Sequence, residues 1–251
     1  MKKIKTLKEF INEDLPTIEI NPEKFPDYGS SGDKAFFMKG KADGDNWDDV
    51  VITKKVKIPA KSLKPSQDAV YLAKALGLAI GGVSGGDLEA VISKDNRILD
   101  GHHRWAATMF NNPSDKVGGI QAALNIGDLI PVLRQAGDVL GNRRGEEPKD
   151  KDGKPRGDIN IFKANSEDIK DCIYKGKGMD PQYYNKEKSV RWFENLGEAT
   201  ISKRLELIQS KLPPHGAPPR KEMPKIHPKQ VNKISKSLSG GRLDIREPYK
   251  D

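Results

Sequence analysis

The stretch Ile98-Leu99-Asp100-Gly101-His102-His103-Arg104-Trp105-Ala106-Ala107-Thr108-Met109 decides how this chain is read. Two apolar residues lead into Asp-Gly, a turn dipeptide, and His-His-Arg then opens a run of good helix formers. The pattern reads as strand, turn and helix start. Backbone N–H groups at a helix N-terminus attract anions, and Arg104 and the imidazoles add charge and directional donors at the same point. Asp-Gly alone is a common turn, and a single histidine is more often a satisfied or solvated side chain than a catalyst. Asp, Gly, two His and Arg on consecutive positions at such a junction are the residue types that hold a phosphate.

Gly101, His102, His103 and Arg104 are therefore the candidate phosphate-binding residues. With a phosphate on that turn, Asp100 lies near the reacting end, able to orient a water or hydroxyl or to hold Mg²⁺ as a metal ligand. His102 or His103 can act as acid or base near neutral pH, with one of the pair expected to pack inward. Asp100, His102 and His103 are the candidate catalytic residues.

Asp100-Gly101-His102-His103-Arg104-Trp105-Ala106-Ala107, preceded by Val91-Ile92-Ser93-Lys94-Asp95-Asn96-Arg97-Ile98-Leu99, resembles the ParB/sulfiredoxin superfamily, whose members share a Gly-x-(His/Arg)-Arg loop before a helix. The Asp-Gly-His-His-Arg form looks most like the ParB-like nucleases and the free-serine kinases of that superfamily. The resemblance covers about Val56 to Met109, and the arrangement also fits phage-encoded ParB-like proteins. It implies a nucleotide phosphate at the loop, from ATP, ADP or CTP. In the family the segment matching Lys64-Pro65-Ser66-Gln67 faces that loop, which makes Lys64, Ser66 and Gln67 further binding candidates. Ser66 also reads as a plain N-cap for a helix over 68–80. Members differ in reaction, so the resemblance implies a site rather than one activity.

Working outward, Val50 to Pro59 alternates after Thr53 and is rich in β-branched residues, so it reads as the first core strand. In the helix from Asp68 to Ile80, Val70, Ala73, Leu76, Gly77 and Ile80 fall near one stripe. Gly81-Gly82-Val83-Ser84-Gly85-Gly86 lacks the Lys-Ser/Thr ending of a phosphate-binding loop and reads as a flexible connector. Leu88–Ser93 and Arg97–Leu99 pair as a hairpin around Lys94-Asp95-Asn96. A strand is expected over Gly118–Ile126 and a helix over Ile130–Leu140, which closes the α/β unit near residue 141.

N-terminal to this unit, Leu7–Asp14 has the spacing of a short amphipathic helix and Ala35–Met38 that of a strand between turn-rich segments. Asp43, Asp45, Asp48 and Asp49 do not make a calcium loop, because the twelve-position pattern with a closing Glu is missing. Beyond residue 141, an exposed loop over 145–157 leads to a short strand at Ile159–Lys163. Helices are expected at Ser166–Tyr174, Lys186–Leu196 and Ala199–Leu212, with Ser189, Arg191 and Glu194 facing solvent. Pro213-Pro214-His215-Gly216-Ala217-Pro218-Pro219 ends the helical run, because proline lacks the donor and clashes with the preceding turn.

The expected fold class is α/β (α+β), a small ParB/sulfiredoxin-like mixed sheet with packed helices. Its divisions are an N-terminal extension over 1–49, the sheet domain over 50–141, a mainly helical extension over 142–212 and a Pro-containing basic tail over 213–251. The 251 residues are 35% hydrophobic and 32% charged, lean for a single compact globule, so part of the chain is expected to be irregular. One cysteine, Cys172, excludes an intramolecular disulfide framework and an all-cysteine metal site. No window approaches the ~18 apolar residues that span a bilayer, and the first residues lack a secretory apolar core. A cytoplasmic protein is expected, in the host cytoplasm or the virion if phage-encoded.

The net charge is +8, and from Lys203 to Asp251 there are 12 Lys and Arg against 5 Asp and Glu, so the basic character belongs to the C-terminal end. Such a tail touches phosphates or an acidic protein surface, or is a solvated end. Three functions fit the residues. The first is a nuclease-like enzyme, a hydrolase or transferase acting on phosphoryl groups of a nucleotide or nucleic acid. The second is a non-catalytic phage structural or DNA-associated protein that keeps the pocket as scaffold and meets phage structural proteins through its tail. The third is a small-molecule kinase similar to the free-serine kinases, for which the additional acidic base of that form does not align here.

Overall fold

The computed structural model describes residues 53–139, 159–181, 184–214, 217–218 and 222–223. The expected helix over 7–14, the strand over 35–38, the acidic turns over 43–49 and the loop over 145–157 lie outside the described residues, as does most of the basic tail.

The motif strand belongs to a mixed five-stranded sheet, ordered β1-β5-β3-β4-β2 among the described residues. β1 is Thr53–Pro59, β2 Lys64–Pro65, β3 Gly86–Ile92, β4 Arg97–Asp100 and β5 Lys116–Ala122. β1 runs antiparallel to β5, β5 parallel to β3, β3 antiparallel to β4, and β4 parallel to β2. β1 ends the strand order and keeps Lys54, Lys55 and Lys57 exposed, with Val56 and Ile58 packed against the core. Lysine on an outer strand discourages pairing with another chain. The hairpin between β3 and β4 turns through Asn96 at φ 60°, a left-handed conformation that Asn tolerates.

Helices cover both faces of the sheet. α1, Leu72–Ile80, and α2, His102–Asn111, bury Leu72, Leu76, Trp105 and Phe110 in one cluster with Ala90, Ile92, Ile98 and Val117. Val91, paired with Ile120 and with Asp100, belongs to the opposite face. Its neighbours there, Leu99 and Ile120, are buried, as are Ile126, Leu129 and Ile130 of α3, Ile126–Val139. α3 begins four residues earlier than its spacing suggests, because the hairpin supplies a cap: the Asp95 Oδ1 accepts the Ile126 N–H at 2.9 Å.

The remaining helices are α4, Ser166–Lys175, α5, Lys186–Leu196, and α6, Glu198–Gln209. Asn165 and Asp168 form a capping box at the start of α4, and Asn185 caps α5. Ile161, Ile169, Ile173, Phe193, Ile201, Leu205 and Ile208 join the cluster that holds α1 and α2. Polar ties reinforce the packing. Arg204 Nη1 donates to the Phe110 carbonyl in the last turn of α2, a favourable end for a cation, and burial pushes its guanidinium down from its ordinary value. Asn111 donates to the Ala79 and Val83 carbonyls at 2.9 Å each and accepts from Trp192 Nε1 at 2.7 Å.

Several expectations are corrected. Ser66 does not cap a helix over 68–80: α1 starts at Leu72 with Tyr71 at the cap position, because the backbone before it bonds elsewhere. The expected strand at Ile159–Lys163 is a single bridge, Asn160 to Tyr71, followed by a 3-10 turn over Ile161–Lys163, since the Asn160 side chain accepts the Phe162 N–H and turns the chain. Ser189 is buried, its hydroxyl donating to the Asn185 carbonyl within its own helix. Beyond residue 212 the described residues pack back on the chain, the Pro218 carbonyl accepting the Asp68 N–H at 3.2 Å and Met223 being buried.

Candidate functional site

β4 delivers Asp100, Gly101 turns the chain, and α2 begins at His102. Gly101 holds φ +101°, a left-handed conformation that favours glycine. A Cβ there would meet the Ala90 Cβ at 3.4 Å and Arg104 Nη2 at 3.7 Å, so the turn lies between β3 and the Arg104 guanidinium. The first N–H to bond back within the helix is that of Trp105, to the Gly101 carbonyl at 2.9 Å. The amides of His102, His103 and Arg104 precede it and belong to the positive end of the helix.

Arg104 Nη2 contacts Asp100 Oδ2 at 3.0 Å, with both side chains about one-third exposed. An exposed pair of this kind contributes about 0.3–0.5 kcal/mol to stability, so its main effect is to hold the guanidinium beside the turn. The guanidinium and the first amides of α2 are therefore gathered at one turn.

The two histidines take different directions, as expected in part. His102 is 4% exposed, and its Nε2 accepts the Ser66 N–H at 3.1 Å with Ser66 Oγ at 3.4 Å. The Ser66 hydroxyl itself donates to the Ile98 carbonyl at 2.6 Å. His103 is half-buried, and its Nε2 accepts the Tyr71 N–H at 3.2 Å, the two rings tilted with centroids 6.0 Å apart. An N–H donor aimed at Nε2 requires a lone pair there, so in this geometry each Nε2 is an acceptor and Nδ1 is the nitrogen that carries the ring proton.

The structure thus brings Ser66, Asp100, Gly101, His102, His103 and Arg104 together. Lys64 is exposed on β2, level with Arg97 at the far end of β4, about 10 Å of strand away from Asp100. Gln67 is nearly buried and donates to the Ala69 carbonyl at 2.7 Å, closing its own loop. Among the described residues no three His, Cys, Asp or Glu side chains gather as a metal-holding group. Asp100 alone suits Mg²⁺ only as an ion that arrives with a phosphate, since Mg²⁺ commonly combines one or two carboxylates with ligand oxygens.

Two features escaped the reading of the residues. Glu89 sits at φ 53°, in the β3 irregularity between Asp87 and Ala90, directly before the residue that packs under Gly101. Bulges re-aim side chains near sites, but one glutamate in a strand carries no sequence signal for it. Asn160 grips the segment 68–70 that precedes Tyr71, and its signal, an Asn before an apolar run, reads equally well as an ordinary cap.

No helix among the described residues is long and apolar enough to cross a membrane. Compared with known proteins, the chain matches no family model, no curated protein and no solved structure.

Proposed function

We propose that this chain binds a phosphate-bearing ligand, a nucleotide such as ATP, ADP or CTP or a nucleic acid, at the turn from Gly101 to Arg104, as the ParB/sulfiredoxin-like proteins it resembles do. The observation that carries the reading is the Asp100–Arg104 pair at 3.0 Å, which holds a guanidinium against the first turn of α2. Helix amides and a fixed guanidinium together suit a tetrahedral anion. Cleavage or transfer of a phosphoryl group is the activity proposed for the site, with Asp100 orienting the attacking oxygen and an imidazole moving its proton.

A second reading has its own support. Both Nε2 atoms are occupied by backbone N–H donors, so acid–base chemistry there requires one of these bonds to open. That favours a non-catalytic phage structural or DNA-associated protein in which the pocket is scaffold. The kinase reading needs a further acidic base and ranks below both.

Calorimetric titration with inorganic phosphate, ATP, ADP and CTP, each with and without Mg²⁺, tests the proposal. Binding is expected, and Arg104→Ala should weaken it by about 1.5–3 kcal/mol, the range for a hydrogen bond to a charged group. No binding under any metal condition would leave the scaffold reading. Full nuclease or phosphotransfer activity in folded Asp100→Asn would remove the carboxylate from the mechanism.

A further inference from the structure

The segment between β2 and α1 is held from two sides. On one side it gives its N–H groups at Ser66 and Tyr71 to His102 and His103. On the other it meets residues about ninety positions later. The Asn160 amide donates to the Asp68 carbonyl at 2.9 Å, and its Oδ1 accepts the N–H of Val70 at 3.3 Å and of Phe162 at 3.2 Å. Backbone bonds flank it, from Leu72 N–H to the Ile159 carbonyl at 2.9 Å and from Ile161 N–H to the Val70 carbonyl at 2.8 Å.

This pattern fixes a direction. Along an extended segment successive N–H groups point to opposite edges. Because the Val70 carbonyl and the Leu72 N–H face residues 159–161, the Tyr71 N–H between them faces away, and it meets His103 Nε2. Asn160 holds the same strand-like geometry one and three residues upstream of Tyr71, at Val70 and Asp68. We propose that Asn160 is a positioning residue for the site: by fixing residues 68–71 it aims the Tyr71 N–H at His103 and sets that imidazole as the neutral Nδ1–H form. The ring is thereby held by its Nε2 edge at the first turn of α2, where the phosphate reading places the ligand. That last step rests on the proposed function; the effect on His103 does not.

The test uses the full chain without ligand. Two-bond ¹H–¹⁵N correlation spectra of the histidines at pH 7.5 should show Nδ1–H forms for His102 and His103. In Asn160→Ala, His103 should shift toward the Nε2–H form, whereas His102, held through Ser66, should keep its pattern. Asn160→Asp keeps the acceptor for Val70 and Phe162 but loses the donor to Asp68, so His103 should take an intermediate mixture. It also serves if the alanine variant does not fold. An unchanged His103 in a folded variant overturns the proposal, as does an Nε2–H His103 in the wild type. Titration with inorganic phosphate then separates the two claims. Binding weakened about three- to tenfold by Asn160→Ala, one hydrogen bond's worth of positioning, extends the effect to the ligand. Equal binding by both proteins overturns that extension, and no binding by the wild type counts against the phosphate reading while the spectra still decide the role of Asn160.

Discussion

Replacing His102 measures what the buried link between Ser66 and α2 contributes. In His102→Leu the ring gives way to an apolar side chain of comparable bulk, so packing is largely kept. The Ser66 N–H, on a residue with no exposed surface, loses its acceptor at 3.1 Å. A buried donor left without a partner costs about 1–3 kcal/mol, and the Ser66 hydroxyl adds nothing to the loss because it remains bonded to the Ile98 carbonyl. For a chain of this size each kcal/mol lowers Tm by about 2–4 °C. His102→Gln is the control, since its amide oxygen reaches the position of Nε2 and restores an acceptor; its cost should stay below about 1 kcal/mol. Urea unfolding followed by tryptophan fluorescence, with the buried Trp105 as reporter, gives both values. Equal stability of His102→Leu and wild type, or equal damage from Leu and Gln, would refute the reasoning.

Other consequences are equally direct. Gly119→Ala places a Cβ 2.1 Å from the Ala90 carbonyl oxygen, where only backbone movement relieves the clash, so unfolding in urea should show a loss of about 3 kcal/mol or more. Arg204→Met strips the Phe110 carbonyl of its charged donor at the end of α2 and should cost about 1.5–3 kcal/mol in the same assay. The Asp171 carboxyl is held below its ordinary value by hydrogen bonds from Lys175 and then Lys177. The stabilisation from that group is therefore present above the ordinary aspartate value and fades as pH falls through the lower folded one. A carbon-detected NMR titration should show Asp171 titrating low in wild type and rising in Lys175→Ala, and identical titration curves would contradict the assignment.

The parts of the fold that were legible in the sequence are those whose cause lies within a few residues. Strand, turn and helix at 98–109 follow from local patterning, and the helix over Lys186–Leu196 appears with the bounds expected of it. The individual strands and helices of the α/β unit follow from local patterning, whereas a mixed sheet is what the resemblance implies, and the strand order β1-β5-β3-β4-β2 has no signal in the spacing. What failed to show was decided at long range. Ser66 has the chemistry of a cap and the position for one, yet its hydroxyl and its N–H bond to residues 32 and 36 positions away. The start of α1 moves to Leu72 for the same reason, because the N–H groups of a cap are already engaged. Gly118-Gly119 did carry a usable signal: adjacent glycines inside a strand mark close backbone approach, here to Gly86 and Ala90 of β3.

The candidate site was legible as a list of residues, but its electrostatics were not. Read as a string, Asp-Gly-His-His-Arg offers one acid, two titrating imidazoles and a cation. In the fold, the acid is paired with the cation and each imidazole is paired with a backbone N–H, so every charged or titrating group begins with a protein partner. Those partners differ in how readily they yield. The Arg104 pair is about one-third exposed, so on the proposed reading a phosphate would replace Asp100 at little cost, whereas His102 is buried and its bond opens only if the segment 66–71 moves. That segment is in turn fastened by Asn160 and the Pro218 carbonyl, both from the C-terminal part of the chain. The same part fastens the other end of α2 through Arg204 and Trp192. The C-terminal part of the chain therefore secures both ends of the helix that carries the motif, the first through the segment 66–71 and the second directly through Arg204 and Trp192.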